Sequence, residues 1–142
     1  MRATEKDIPY LNYLFSETFD LIKEEDTPEE LRYILGYTVN NPEIWVMLPK
    51  RGIAFVAAPL KDGVYDVHVS SVKKVGVNVI KESRDIIRWF FKENKKATKI
   101  VCTFPKNRRD VRMLCGACGF SIQESRMEDK VSYSLRKEDI CQ

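Results

Sequence analysis

Val64-Tyr65-Asp66-Val67-His68-Val69-Ser70-Ser71-Val72-Lys73-Lys74-Val75-Gly76-Val77-Asn78 is the stretch that decides the fold. Its first half alternates: Tyr65, Val67 and Val69 hold one face and Asp66, His68 and Ser70 the other, the period of a half-buried strand. The next apolar residue, Val72, is out of phase by one, as a β-bulge at Ser70 and Ser71 would make it. Two lysines and a glycine follow. From Val77 to Asn94 the period becomes helical, with Val79, Ile80, Ile86, Ile87, Phe90 and Phe91 on one stripe and Lys81, Arg84, Arg88 and Lys92 elsewhere. Ile100, Val101 and Cys102 then mark a short strand over 99–104, closed by Pro105.

Upstream, Ile44 to Leu48 and Ile53 to Leu60 are short β-branched or aromatic runs, separated by Lys50-Arg51-Gly52 and followed by Lys61-Asp62-Gly63. With Val64 to Val72 they predict an antiparallel meander. Ile53 to Ala58 is apolar on both faces, so that strand is expected to be central and covered on both sides. Thr4 with Asp7 three residues on is a helix-start signal. Ile8, Leu11, Leu14, Phe15, Phe19 and Ile22 follow at helical spacing, which predicts a helix over 5–24. Thr27, Pro28 and Glu30 start a second helix that runs to about Thr38 and is ended by Asn40, Asn41 and Pro42. Downstream, Asn107 to Cys118 reads as a shorter helix ended by Gly119, with closing strands at Phe120 to Gln123 and Val131 to Leu135. The order is β, α, α, three strands, α, β, α, two strands. It predicts an α/β (α+β) fold with a mixed sheet and helices on both faces.

A chain of 142 residues with no internal repeat, low-complexity tract or Pro/Gly/Ser linker is expected to form one domain over 1–142. A hydrophobic share of 44% with only 6 Gly and 6 Pro excludes fibrous and disordered classes. No apolar run approaches the roughly 18 residues of a membrane span. Met1 to Asp7 is too charged for a signal peptide, so a cytoplasmic protein with no membrane partner is expected. Cys102, Cys115, Cys118 and Cys141 would then be thiols. Charge is placed unevenly: residues 1–45 carry 4 basic against 10 acidic residues, and residues 73–112 carry 13 against 4. Such a local excess suggests a site for an anion rather than a generally sticky surface.

This order, with three local motifs, resembles the GCN5-related N-acetyltransferase (GNAT) superfamily over nearly the whole chain, from Met1 to about Leu135. Arg2-Ala3-Thr4-Glu5-Lys6-Asp7-Ile8 looks like that family's first strand running into its first helix. Lys73-Lys74-Val75-Gly76-Val77-Asn78 is similar to its acyl-CoA pyrophosphate loop, Gln/Arg-x-x-Gly-x-Gly/Ala, with Lys73 in place of Gln or Arg, Gly76 retained and Asn78 replacing the last small residue. Asn107 through Gly119-Phe120 looks like its asparagine-led helix ending in Gly-Phe. The resemblance implies a mostly antiparallel sheet of about seven strands. It also implies acetyl-CoA as co-substrate, with transfer of its acetyl group to an amine. Small divergent GNAT-like proteins of tailed phages are similar too. They imply the alternative of a non-catalytic virion or head-assembly component, with protein assembly partners, in the host cytoplasm or the virion.

Candidate site residues follow. A glycine just before a helix lets the backbone turn tightly, and the first amides of that helix have no intrahelical partner, so Gly76, Val77 and Asn78 suit a pyrophosphate beside Lys73, Lys74 and Val75. The competing reading is an ordinary strand-to-helix turn with solvated lysines. The resemblance assigns the backbone of Ser70, Ser71 and Val72 to the pantetheine amides and adds Asn107 to the cofactor-binding set. His68, the sole histidine, shares a face with Asp66 and Ser70. Imidazole ordinarily titrates near pH 6.5, so His68 is a candidate base for an ammonium, and Asp66 could serve through water; the other reading is a solvated polar face. Where many family members carry a tyrosine acid, the register falls on Cys115. Cys115 and Cys118 form a CxxC without a second pair or a partnering histidine, so no metal is expected and packing competes with the acid role. Lys81, Arg84, Arg88, Lys92, Lys95, Lys96, Arg108, Arg109 and Arg112 could track a nucleic acid. Glu82, Asp85 and Glu93 interleave the helical part, however, which favours a solvated face over a nucleic-acid partner.

Overall fold

A tight two-residue turn joins two strands of the sheet. Asp62 (φ 39°) and Gly63 (φ 81°) both take positive φ, as a two-residue hairpin requires. A side chain at position 63 would place its Cβ 2.5 Å from the Lys96 carbonyl oxygen, so this glycine is demanded by space as well as by dihedral. The computed structural model describes residues 2–17, 38–48, 53–71, 77–123 and 128–140. Its strands are β1 (Trp45–Met47), β2 (Ile53–Lys61), β3 (Val64–Ser71), β4 (Lys99–Pro105), β5 (Ser121–Gln123) and β6 (Lys130–Arg136). Its helices are α1 (Ile8–Glu17), α2 (Val77–Glu93), α3 (Arg109–Ala117) and α4 (Lys137–Ile140).

The six strands form one mixed sheet in the order β1-β2-β3-β4-β6-β5. β3 and β4 are parallel, while β1 with β2, β4 with β6 and β5 with β6 are antiparallel. The strand expected at Arg2 is reduced to a single bridge between Arg2 and Met47, because the 3-10 turn Glu5–Asp7 begins only three residues later. The Asp7 carboxylate accepts the Thr4 amide at 2.9 Å, which is the start signal read from the sequence. α1 follows directly. The expected continuation to residue 24 and most of the second helix, over 27–37, lie outside the described residues; Thr38 to Asn40 are helical. β3 extends through Ser70 and Ser71, the positions of the expected bulge, and Val72 lies outside the described residues. α4 had no separate signal in the sequence.

The chain divides into two compact units, Met1–Ala58 with His68–Lys73, and Pro59–Val67 with Lys74–Gln142. In the first, Leu11 and Leu14 of α1 pack with Ala3, Val46 and Ala54. Burying each leucine contributes about 1.5–3 kcal/mol. There the Arg2 guanidinium lies 4.0 Å over the Trp45 ring and donates to the carbonyls of Pro42 and Ile44 at 2.7 and 3.1 Å. In the second, α2 buries Val79, Ile86, Ile87, Phe90 and Phe91, with Phe90 edge-on to Tyr65 at 5.3 Å. α3 buries Cys115 against Cys102, Phe104, Val131 and Tyr133, where Phe104 and Tyr133 stack at 5.6 Å. Among the described residues no helix is long and apolar enough to cross a membrane.

Candidate functional site

β3 carries the alternation that its sequence predicts. Tyr65 and Val67 are buried, Asp66 is half-buried and His68 is exposed. Asp66 and His68 therefore share the face of the strand opposite its apolar one. Asp66 falls in the second unit and His68 to Ser71 in the first. The parallel ladder pairs Val64, Tyr65 and Asp66 with Lys99, Ile100 and Val101; beyond it β3 continues to Ser71 and β4 to Pro105.

α2 starts at Val77, with Asn78 exposed and Val79 buried. Its first turn contains no acidic residue, so the positive end of a 17-residue helix has no carboxylate of its own there. Val72, Lys73, Lys74, Val75 and Gly76 lie outside the described residues. Along the helix, Lys81, Arg84, Arg88 and Lys92 are exposed, and Arg88 meets Asp85 at 3.8 Å, as a solvated mixed-charge face does. Arg84 does more: its Nε and second terminal nitrogen donate to the Ala117 carbonyl at 3.0 and 2.6 Å and so cap the C-terminus of α3. Its acceptor is a backbone group, for which no side-chain pattern could have given a signal.

The second helix N-terminus is built differently. Asn107 is exposed in the turn after β4, and its carbonyl accepts the Arg109 amide at 3.0 Å. Arg108 grips both oxygens of Asp110 at 3.0 and 2.8 Å. This fork, chiefly through its hydrogen bond, raises the Arg108 pKa and holds the Asp110 carboxyl below the usual carboxylate range. The Arg-x-Asp spacing was its available sequence signal.

Cys115 is brought to a core position. Its thiol pKa is pushed far up, first by the hydrogen bond with Cys102 and then by burial. Burial likewise pushes Cys118 up to about 11, against the pull of Arg84. A thiol held so firmly in its neutral form is a weak proton donor, and the geometry gives Cys115 a packing contact with named neighbours. Among the described residues no group of three or more His, Cys, Asp or Glu is placed to hold a metal.

The six-stranded mixed sheet with its helices has the fold of solved GNAT acetyltransferases. The chain aligns over 96% of its length with 97% of a GNAT-family acetyltransferase from Streptococcus pneumoniae, at a TM-score of 0.69 and 14% identity. It covers all of its length and 94% of the aminoglycoside acetyltransferase AAC(6')-Ib bound to ribostamycin and coenzyme A, at 0.77 and 13%; another structure of that enzyme holds acetyl-CoA. Spermidine N-acetyltransferase from Vibrio cholerae, in complex with CoA and spermine, matches at 0.77 and 8%, with 100% of this chain and 96% of that one covered. In sequence the chain matches no family model and no curated protein. These neighbours lend no support to the phage-assembly alternative, or to protein assembly partners.

Proposed function

We propose that this protein is an acyl-CoA-dependent N-acetyltransferase that passes an acetyl group from acetyl-CoA directly to an amine. The observation that carries this reading is the start of α2, a long helix following β3 with no carboxylate in its first turn, in a fold whose solved examples hold CoA or acetyl-CoA. An anion is favoured at such an N-terminus, and the flanking Lys73 and Lys74 add to the field. In this reading Lys73 to Asn78 receive the pyrophosphate, Ser70, Ser71 and Val72 offer backbone groups to the pantetheine amides, and Asn107 belongs to the same binding set. Backbone N–H groups polarise the thioester carbonyl. His68 takes the proton from the substrate ammonium, and Asp66, acting through water, is the alternative base. The amine nitrogen then forms the new C–N bond as the C–S bond breaks; the nitrogen gives up its remaining extra proton to solvent, and the sulfur leaves with the electron pair and is protonated from solvent. Cys115 is assigned to packing.

The test is release of free CoA thiol from acetyl-CoA in the presence of a panel of primary amines, among them aminoglycosides, polyamines and peptide N-termini. At least one amine is expected to be acetylated, and His68→Ala is expected to lower kcat by roughly 10²-fold and to remove the rise of rate with pH. Acetyl-CoA binding without turnover on any amine would overturn the catalytic part of the reading.

A further inference from the structure

Within the second unit a cavity of about 560 Å³ opens where three strands end. Val64 begins β3, Lys99 begins β4 and Arg136 ends β6; the registers Val64↔Lys99 and Lys99↔Arg136 put the three side by side on one sheet face. Thr98, Lys137 and Glu138 complete the lining. Much of the wall is carbon: the Val64 side chain, the Thr98 methyl and the lysine stems.

The charges in it are unequal in their commitments. Arg136 is occupied by Glu138 at 3.0 Å and Asp139 at 3.2 Å, and those three groups together carry one net negative charge. Lys99 and Lys137 are half-buried, and among the described residues neither ammonium has a partner. With the two lysines the cluster carries one net positive charge over an apolar floor, which favours an anionic group beside them. The cleft is open to solvent on one side, so a ligand there would rest an apolar body on the wall and be oriented by a few polar groups at its edge.

We infer that this cavity binds a small organic anion with an apolar body, its carboxylate or phosphate bridging Lys99 and Lys137 and its body lying over Val64. The site lies at the start of β3, away from the strand end that leads to Gly76, and it is independent of the transfer reaction. The binding needs no covalent step.

Octanoate and octyl phosphate are the probes, titrated into isotope-labelled protein and followed by amide chemical shifts. At least one should give saturable shifts at Val64, Thr98 and Lys137, with acetate and 1-octanol binding at least about ten-fold more weakly because each lacks one half of the recognition. Lys99→Gln with Lys137→Gln should weaken the bound probe by at least about ten-fold while leaving the response to acetyl-CoA intact. Val64→Asp, which sets a carboxylate beneath the lysines, should expel it too, and serves if the double variant folds poorly. Absence of binding by both probes, equal binding by octanol, or undiminished binding in these variants would overturn the inference.

Discussion

Helices α2 and α3 both follow strands of the parallel pair and both belong to the second unit, yet their N-termini are finished in opposite ways. α3 brings its own anion: Asp110 sits in its first turn and is fixed by Arg108. α2 has no carboxylate in its first turn and is preceded in sequence by Lys73, Lys74 and Gly76. The difference separates a helix end satisfied within the chain from one suited to an anion supplied from outside. It also divides labour, since α3 spends Leu114 and Cys115 on the core and α2 combines a buried apolar stripe with an open start.

The contrast breaks most visibly at the loop. Lys73→Glu with Lys74→Glu should weaken acetyl-CoA by about 10²-fold or more in a calorimetric titration and leave the ligand-free melting temperature nearly unchanged. An unchanged Kd would mean that the loop before α2 is only a turn. Next comes the body of α3. Cys115→Ser puts a hydroxyl among Cys102, Phe104, Val131 and Tyr133 and should cost about 1–3 kcal/mol in denaturant unfolding, with acetyl-CoA affinity retained by the folded fraction. Loss of turnover at full stability would instead return Cys115 to the chemistry.

The smallest effect belongs to the fork at the start of α3. Both partners are partly exposed, so Asp110→Asn should cost only a few tenths of a kcal/mol. Because Arg108 lowers the carboxyl's pKa in the folded state, that contribution is present above about pH 4, the range of an unfolded aspartate, and is lost as pH falls through the lowered folded value. Melting curves of parent and variant should therefore differ at pH 7 and converge in strong acid. A gap that persists or widens there would place the effect outside the ion pair.

Most of the sheet was legible because its strands obey a period of two and are bounded by turn residues. β2 is buried over Ile53 to Phe55 as its two-sided apolar run requires, and Asp62-Gly63 makes the tight turn. The boundaries of α2 and β6 follow the predicted ones within a residue or so. The N-terminal strand is reduced to a bridge at Arg2, since the turn at Glu5 begins three residues later. The site was less legible. The exposure of His68 and the half-burial of Asp66 agree with the strand alternation, but the role of an exposed side chain depends on what it meets. For Cys115 the register borrowed from a family suggests a reacting position, whereas packing against Cys102 depends on a long-range contact that local spacing does not encode.

Binding of acetyl-CoA is the claim on which the rest depends, and a thermal-shift titration measures it most directly. Ligand at about 100 times Kd should add about 2.7 kcal/mol of stability, several degrees in Tm for a domain of this size. CoA lacking the acetyl group should do nearly as well if, as proposed, the phosphates carry most of the binding. No shift with either ligand at millimolar concentration would contradict the account.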